Sequence, residues 1–421
     1  MSSEMLPLML VFVGCVSSPG PGVDPSVEDT SLPLVVGGGD DTAETGGQEG
    51  PDDATFQSTF FSNAVVHDVA ILLTDDAWQS LTSDPYGFAS GTVTFDGELV
   101  KDSGIRLRGK VGSFRSIGQK PKFKFDFSEY EDGQDFHGLK SLALNNEVVD
   151  CSYLKEPIAY RVFRDAGVPA PRTSFAHVTV NDEDYGLYVV VEVPDSRFLT
   201  AQYPGDDEGP LYDGKYTYYS DGSYTMLDFG IGVDDLFQLE EGADDGNAHV
   251  VAISDAIGSA TSAFQADLSG LVDWDEVHRE IAVEQWIGHV DGYALNRNNY
   301  RVYFRPSDGK LQLIPWDFDY AFIHDYEWGM SWDAPAGSLM RYCWRDADCY
   351  ASQSDAVSQV LASVDTDALL ADYDAMADLT QDLAHDDPKR ECNAASVRAQ
   401  RASVRTWIEG QSAAIQAAWG L

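Results

Sequence analysis

The chain reads as an α+β protein of two lobes: a β-rich N-terminal half with one prominent helix, and a mainly helical C-terminal half. Three observations predict this. Short runs between residues 65 and 193 alternate apolar and polar residues, as half-buried strands do. From residue 249 onward most apolar residues recur every three or four positions, as one face of a helix requires. The 421 residues are 43% hydrophobic and 12% aromatic, ample for packed cores in two lobes.

At the N-terminus, Met5 to Val13 is a mostly apolar run too short to span a bilayer. Gly14-Cys15 and a Ser/Pro/Gly stretch follow. This order resembles a bacterial lipoprotein signal over residues 1–15. The resemblance implies lipidation at Cys15 and a domain anchored to the cell envelope outside the cytoplasm, with plain secretion as the alternative. Residues 16–55 are rich in Gly, Pro, Ser, Asp and Glu and contain no Lys or Arg. Such a segment cannot bury enough apolar surface to offset its ordering entropy, so a disordered acidic linker is expected before a domain at 56–421.

Within that domain, Val65 to Leu73 reads as a strand and Asp75 to Leu81 as a short helix. Gly91 to Phe95, Ile105 to Arg108 and the strictly alternating Phe123 to Phe127 read as strands. Tyr153 to Ala166 carries helix-spaced apolar residues at Leu154, Ile158, Ala159, Val162 and Phe163, and Gly167 is a natural stop. Phe175 to Val180 and Tyr185 to Val193 form a strand pair around the polar turn Asn181 to Asp184. An acidic, Gly- and Tyr-rich stretch covers 203–247. Helical spacing then runs over His249 to Gln265 and Asp273 to Val290. Tyr300 to Phe304 and Leu311 to Trp316 make a hairpin around Ser307-Asp308-Gly309, and Asp355 to Trp419 is helical.

Charge and cysteine usage exclude several functions. With 27 Lys and Arg against 70 Asp and Glu, the net charge is −43. Phosphate backbones and anionic membrane surfaces are repelled, so no nucleic-acid partner is expected, and membrane contact only through a lipid anchor. The acidic loops Asp206-Asp207-Glu208 and Asp244-Asp245-Gly246-Asn247 match no complete EF-hand and read as solvated surface. The five cysteines contain no CxxC pair, which argues against a structural zinc site. Cys343 and Cys349 lie close enough for a local disulfide outside the cytoplasm, or stand as two thiols.

Three segments carry chemistry. Arg106-Leu107-Arg108-Gly109-Lys110-Val111-Gly112-Ser113 with Lys120-Pro121-Lys122-Phe123-Lys124 is a basic island in an acidic chain. A Gly-containing loop between two strands offers backbone N–H groups and ammonium groups to phosphates; an exposed basic hairpin paired with nearby acids is the plainer reading. His289 to Tyr300 (HVDGYALNRNNY) sets a carboxylate ahead of several Asn residues just before a strand. Asp can accept a proton and Asn oxygen can ligate Mg²⁺. Ile314-Pro315-Trp316-Asp317-Phe318-Asp319 ends a strand with two carboxylates. Singly, the last two are ordinary turn chemistry. Together they follow the order in which protein kinases place base, metal-binding Asn and metal-binding Asp.

Here the chain resembles the CotH kinase-like family. The resemblance rests on Leu144-Asn145-Asn146, Asp150, Leu154 to Val168 with Pro169-Ala170-Pro171-Arg172, and Asp184-Tyr185-Gly186-Leu187-Tyr188 with Glu192. It continues through Asp291 to Tyr300 and Pro315 to Asp319. It implies a two-lobed atypical protein-kinase-like fold using ATP and Mg²⁺ (or Mn²⁺). By position, Asp291 would be the catalytic base or would orient the substrate hydroxyl, Asn299 or Asn296 would hold the metal, and Asp317 would bind it with Asp319 as rival. Lys124 or Lys120 would contact the nucleotide phosphates with Arg106 and Arg108 nearby. Glu156 would pair with that lysine, and Glu192 would lie where adenine stacks. The implied function is an extracytoplasmic kinase acting on Ser or Thr of a surface protein. The alternatives are a non-catalytic surface binding or structural module on the same fold, and a nucleotidyl transferase. In so acidic a chain, ATP binding should require a divalent cation.

Overall fold

The computed structural model describes residues 51–110, 112–219, 223–243 and 246–421. The signal-like segment with Cys15, the linker up to residue 50, and Asp244-Asp245 lie outside them. The expected linker ends sooner than residue 55, because helix α1 occupies Pro51–Phe60. Two aromatic residues one turn apart dock it: the Phe56 and Phe60 ring centroids lie 5.3 and 5.8 Å from that of Phe136.

The N-terminal half forms a closed barrel. Its strands are β1 (Val66–Leu72), β2 (Ala89–Phe95), β3 (Glu98–Arg108), β4 (Lys122–Asp126), β5 (Ser141–Asn145), β6 (Thr173–Val180) and β7 (Glu183–Glu192). They run in the order β1-β2-β3-β4-β5-β7-β6, and a parallel β1–β6 pair closes the ring. Helix α2 (Asp75–Ser83) follows β1, and α3 (Lys155–Asp165) lies between β5 and β6. The alternation in the sequence assigns the two faces of each strand. Ile105, Leu107, Phe123, Phe125, Leu142 and Leu144 belong to one buried apolar cluster. Arg106 pairs in register with Lys124, and Arg108 with Lys122, on the opposite face. A basic face therefore turns out of the barrel toward the second half. Strand β5 escaped the sequence reading because all five of its residues are buried and do not alternate.

In the second half, helix α4 (Ser196–Gln202) leads into β8 (Leu211–Gly214), β9 (Tyr216–Tyr218), β10 (Tyr224–Met226) and β11 (Gln238–Glu241). The acidic, Gly- and Tyr-rich stretch therefore contains four short strands. β11 and β8 join the expected hairpin, β12 (Tyr300–Phe304) and β13 (Leu311–Pro315), in a sheet ordered β11-β8-β12-β13. The helices are α5 (Ala248–Ser259), α6 (Phe264–Asp267), α7 (Trp274–Ile287), α8 (Ser338–Cys343), α9 (Ala347–Ser363), α10 (Thr366–Asp386) and α11 (Ala394–Trp419). The single helix expected over 249–265 breaks into α5 and α6. There Asp267 accepts hydrogen bonds from Thr261 N and Oγ1 at 2.6 and 2.7 Å, a local alternative to helix continuation.

Cys343 and Cys349 form the local disulfide. A second disulfide, Cys151–Cys392, spans 241 residues. Among the described residues no helix is long and apolar enough to cross a membrane.

Candidate active site

A cavity of about 520 Å³ opens where the basic barrel face meets the second half. Its walls come from the loop after β3 (Gly109, Lys110, Ser113), from β8 to β10, from residues 291–299 and from residues 316–320.

The 291–299 wall is held from behind. Helix α7 stops at Gly288, which adopts φ +60°. The chain then folds back over the buried Glu284 carboxylate, which accepts Tyr293 N at 2.7 Å and Ala294 N at 3.0 Å. Gly292 makes this possible, since a Cβ there would overlap that carboxylate. The turn presents Asp291. Its Oδ1 accepts Asn296 Nδ2 at 2.6 Å, and its Oδ2 accepts Asn299 Nδ2 at 3.0 Å and Asn298 Nδ2 at 3.2 Å. Burial pushes the Asp291 carboxyl up to about 7 against the pull of the Asn296 and Asn298 amides. Asn299 sits in the left-handed region (φ 51°), which Asn tolerates well, and its amide also reaches the Asp317 carbonyl at 3.2 Å.

The opposite wall follows β13. Asp317 leaves the strand with φ 53°, and its N–H donates to Tyr160 Oη at 3.3 Å. The buried Phe318 ring packs on Tyr160, Phe163 and His289, which aims the carboxylates on either side of it. Lys122, from β4, reaches Asp317 at 3.1 Å and Asp319 at 3.3 Å. Burial opposes the Lys122 charge, but the two aspartates and then Glu156 hold the ammonium above its ordinary value. Burial likewise opposes the Asp317 charge, and Lys122 and Arg108 outweigh it, so that carboxyl is held down. Asp319 goes the other way, pushed up to about 6 by burial and by Asp317. Glu156 on α3 accepts Asn145 Nδ2 at 2.7 and 2.9 Å through its two oxygens, and Phe318 N at 3.4 Å. Burial and Asp317 push it to about 7. Arg108 donates to Asn145 Oδ1 at 3.1 Å and lies 5.0 Å from the Trp316 ring centroid.

The structure therefore brings Asp291, Asn296, Asn299, Asp317, Asp319 and Arg108 to one cavity, with Glu156 behind it. Other expected residues lie elsewhere. Lys120 is buried against Asp387, Tyr153 and the Leu187 carbonyl, as a structural anchor. Lys124 pairs across β3 with Arg106, which stacks on Phe88, and neither lines the cavity. The lysine between the carboxylates is Lys122, two residues from both expected positions. Strand pairing opposite Arg108 was the signal that singles it out. Glu192 does not meet the cavity either; its carboxylate is taken by Arg172, whose N and Nε donate at 3.0 and 2.9 Å. Tyr216, Tyr224, Tyr320 and Trp328 also line the cavity; they carry no motif and meet only through the fold. Asn298 lines it as well and belongs to the His289–Tyr300 segment, without having been singled out there.

The donor set is rich in hard oxygen atoms. Asp317 and Asp319 contribute carboxylates, and Asn296 and Asn299 use their Nδ2 atoms on Asp291, leaving amide oxygens as the groups to offer a cation. With Asp291 and Asp213 the lining holds four carboxylates, set against Arg108, Lys110, Lys215 and the adjoining Lys122. Such a set fits Mg²⁺ or Mn²⁺.

The family model described as CotH kinase protein matches residues 105–414, a span that includes every residue of both walls. A Bacillus subtilis (strain 168) protein named inner spore coat protein H is 24% identical over 199 residues. That match covers 45% of this chain and 52% of the relative, so the chain spans about half the length of the curated relative it matches. Among solved structures, the Helicobacter pylori proinflammatory kinase CtkA overlaps with a TM-score of 0.32 at 10% identity, covering 69% of this chain and 90% of that one. The Shewanella oneidensis HipA, HipB and operator DNA complex overlaps with a TM-score of 0.29 at 12% identity, covering 67% of this chain and 60% of that one. Overlaps this slight say nothing of substrate or mechanism.

Proposed function

Because the chain belongs to the CotH kinase family, we propose that it transfers the γ-phosphoryl group of ATP to Ser or Thr hydroxyls of a protein outside the cytoplasm. One observation supports this above the rest: Asp291 faces the Lys122–Asp317 pair across one cavity, with the Asn299 amide bridging the two walls. Phosphoryl transfer asks a protein for positioning and charge neutralisation more than for covalent chemistry, and this site supplies both.

Asp291 accepts the proton of the acceptor hydroxyl as the oxygen attacks the γ-phosphorus. The bond to the β-phosphate oxygen breaks, and its electron pair leaves with ADP. The high carboxyl pKa suits a base working near neutral pH. Asn296, Asn298 and Asn299 fix the base's orientation through its two oxygens. Asp317, Asp319, Asn299 and Asn296 would hold Mg²⁺ or Mn²⁺, which when bound neutralises phosphate charge. Lys122, Arg108 and the backbone of the Gly109–Ser113 loop oppose the remaining charge. Two disulfides among the described residues support a site of action outside the reducing cytoplasm, and the signal-like segment around Cys15 suits lipid anchoring there. The expected partner is therefore a surface protein, with membrane contact only through the anchor and no nucleic acid.

The test is incorporation of ³²P from γ-labelled ATP, beside α-labelled ATP, into the protein and a generic basic acceptor protein. Transfer of the γ-label that needs Mg²⁺ or Mn²⁺ and disappears in Asp317→Ala is the expected result. Transfer of only the α-label would instead mean nucleotidyl transfer. No transfer and no nucleotide binding by the folded protein would make it a non-catalytic module.

A further inference from the structure

The α10–α11 connector, residues 387–393, touches the cavity's walls from outside. On one side it grips the loop that follows β3. Asp387 pairs with Lys120, Lys389 donates to the Gly118 carbonyl at 3.1 Å, and Glu391 pairs with Arg115. These contacts fall at three points along residues 109–121, the loop whose Gly109, Lys110 and Ser113 line the cavity. Asp387 is buried and also accepts Tyr153 Oη and Leu187 N, each at 3.1 Å.

On the other side the connector is bonded to the start of α3. Cys392 is joined to Cys151. Beside it, Gln400 accepts Ser152 N at 2.9 Å and Arg401 donates to Ser152 O at 3.1 Å. Asp150, one residue before the disulfide, accepts Lys155 N, the first N–H of α3, at 3.0 Å. That helix delivers Glu156 to Asn145 and Lys155 to the Asp319 carbonyl at 2.9 Å.

We propose that this connector is a strap that positions the phosphate-side loop and α3 together, with the Cys151–Cys392 disulfide as its latch, so that nucleotide binding depends on the oxidised latch. Asp387 and Glu391 are positioning residues that act through Lys120 and Arg115. The two disulfides differ in the property that matters. Cys343 and Cys349 are fully buried, whereas Cys151 and Cys392 are half-buried and open to a reductant. A reducing compartment would open the latch first. The chain would then bind nucleotide well only after reaching an oxidising one.

The proposal rests on the nucleotide-binding reading, so its test has one arm that does not. The full chain is treated with graded reductant, and mass spectrometry of alkylated cysteines defines the stage at which only Cys151 and Cys392 are free. Hydrogen exchange without nucleotide should then rise within residues 109–121 and 150–156 and stay unchanged in the barrel strands. Binding of Mn²⁺–ATP should weaken about tenfold or more and recover on reoxidation. Glu391→Gln, which keeps the latch, should raise exchange in the loop alone. Unchanged exchange in the two segments after the latch opens overturns the strap. Absence of nucleotide binding by the oxidised chain overturns the functional reading instead, while the exchange arm still decides the strap.

Discussion

Two clusters of carboxylates in this molecule sit under opposite conditions, one in the cavity and one along helix α7. In the cavity, Asp317 and Asp319 share Lys122, Asp317 also lies near Arg108, and Asp291 takes three side-chain amides. Along α7, Glu276, Glu280 and Glu284 recur every fourth residue on one face, each at most 5% exposed, with no Lys or Arg paired to them among the described residues. Glu284 has its two backbone donors and Glu276 has one, Leu313 N at 3.1 Å. Neither oxygen of Glu280 has a hydrogen-bond partner among the described residues. The difference separates two uses of a buried acid. A neutralised carboxylate stays ready to be charged and to exchange its partners for a ligand. An isolated one is kept protonated by desolvation and serves, at most, as a hydrogen-bonding scaffold. Burial alone does not mark a site; the partners do.

The largest effects should come from the neutralising cations. Lys122 and Lys120 are two residues apart and both buried, yet only Lys122 meets the cavity acids. Lys122→Met should cut phosphoryl transfer by about 10²-fold or more, since it removes a preorganised charge at the reacting phosphate. Its thermal midpoint should fall less than that of Lys120→Met, because Asp317 and Asp319 both line a solvated cavity and Asp387 does not. Lys120→Met should do the reverse. It strands the buried Asp387 carboxylate and should destabilise the fold by about 3–5 kcal/mol. Denaturant melts beside transfer assays separate the two, and equal effects from both substitutions would erase the distinction.

A smaller effect of opposite sign is expected on α7. Glu280→Met replaces an unpartnered acid by an apolar side chain of similar length. It should raise stability by about 1–3 kcal/mol, the cost of burying a polar group without a hydrogen bond. Transfer activity should be unchanged, as Glu280 lies outside the cavity lining. A destabilised variant would mean that Glu280 has a partner the contrast with the cavity acids overlooks.

The same contrast explains what could be read from the sequence. The strands with strict alternation, Phe123 to Phe127 above all, and the helix ending at Gly167 were legible because period and stop signal agree. So were Asp291, Asn299 and Asp317, because turn-forming residues around one hairpin keep their order whatever the packing. The lysine was not legible. Lys120, Lys122 and Lys124 are equivalent by charge and alternation, and only the register of β3 against β4 and the reach of Asp387 from the far end of the chain tell them apart. Glu192 misled for the same reason: its partner Arg172 lies across a strand pair. The Cys151–Cys392 bridge and the aromatic lining depend on contacts between distant segments, which no local pattern carries.

The smallest effect tests the protonated state of the α7 acids directly. Burial pushes Glu276 and Glu284 up to about 8 in the folded chain, against an ordinary value near 4.5. Between those values the folded state holds more protons than the unfolded one, so stability falls as pH rises toward 8. His289 is held down to about 3 by burial and acts with the opposite sign, but only below about 6.5, where the unfolded imidazole takes up its proton. From pH 6.5 to 8 the raised acids therefore act without that opposition. Stability measured by denaturant melts should decline across this window. In Glu276→Gln, which keeps an acceptor for Leu313 N and cannot ionise, the decline should be shallower by at most about 1.4 kcal/mol per pH unit, one proton's share. A slope identical to the parent's would mean that Glu276 is already ionised in the fold, and that the isolated acids of α7 are neutralised after all, as those of the cavity are.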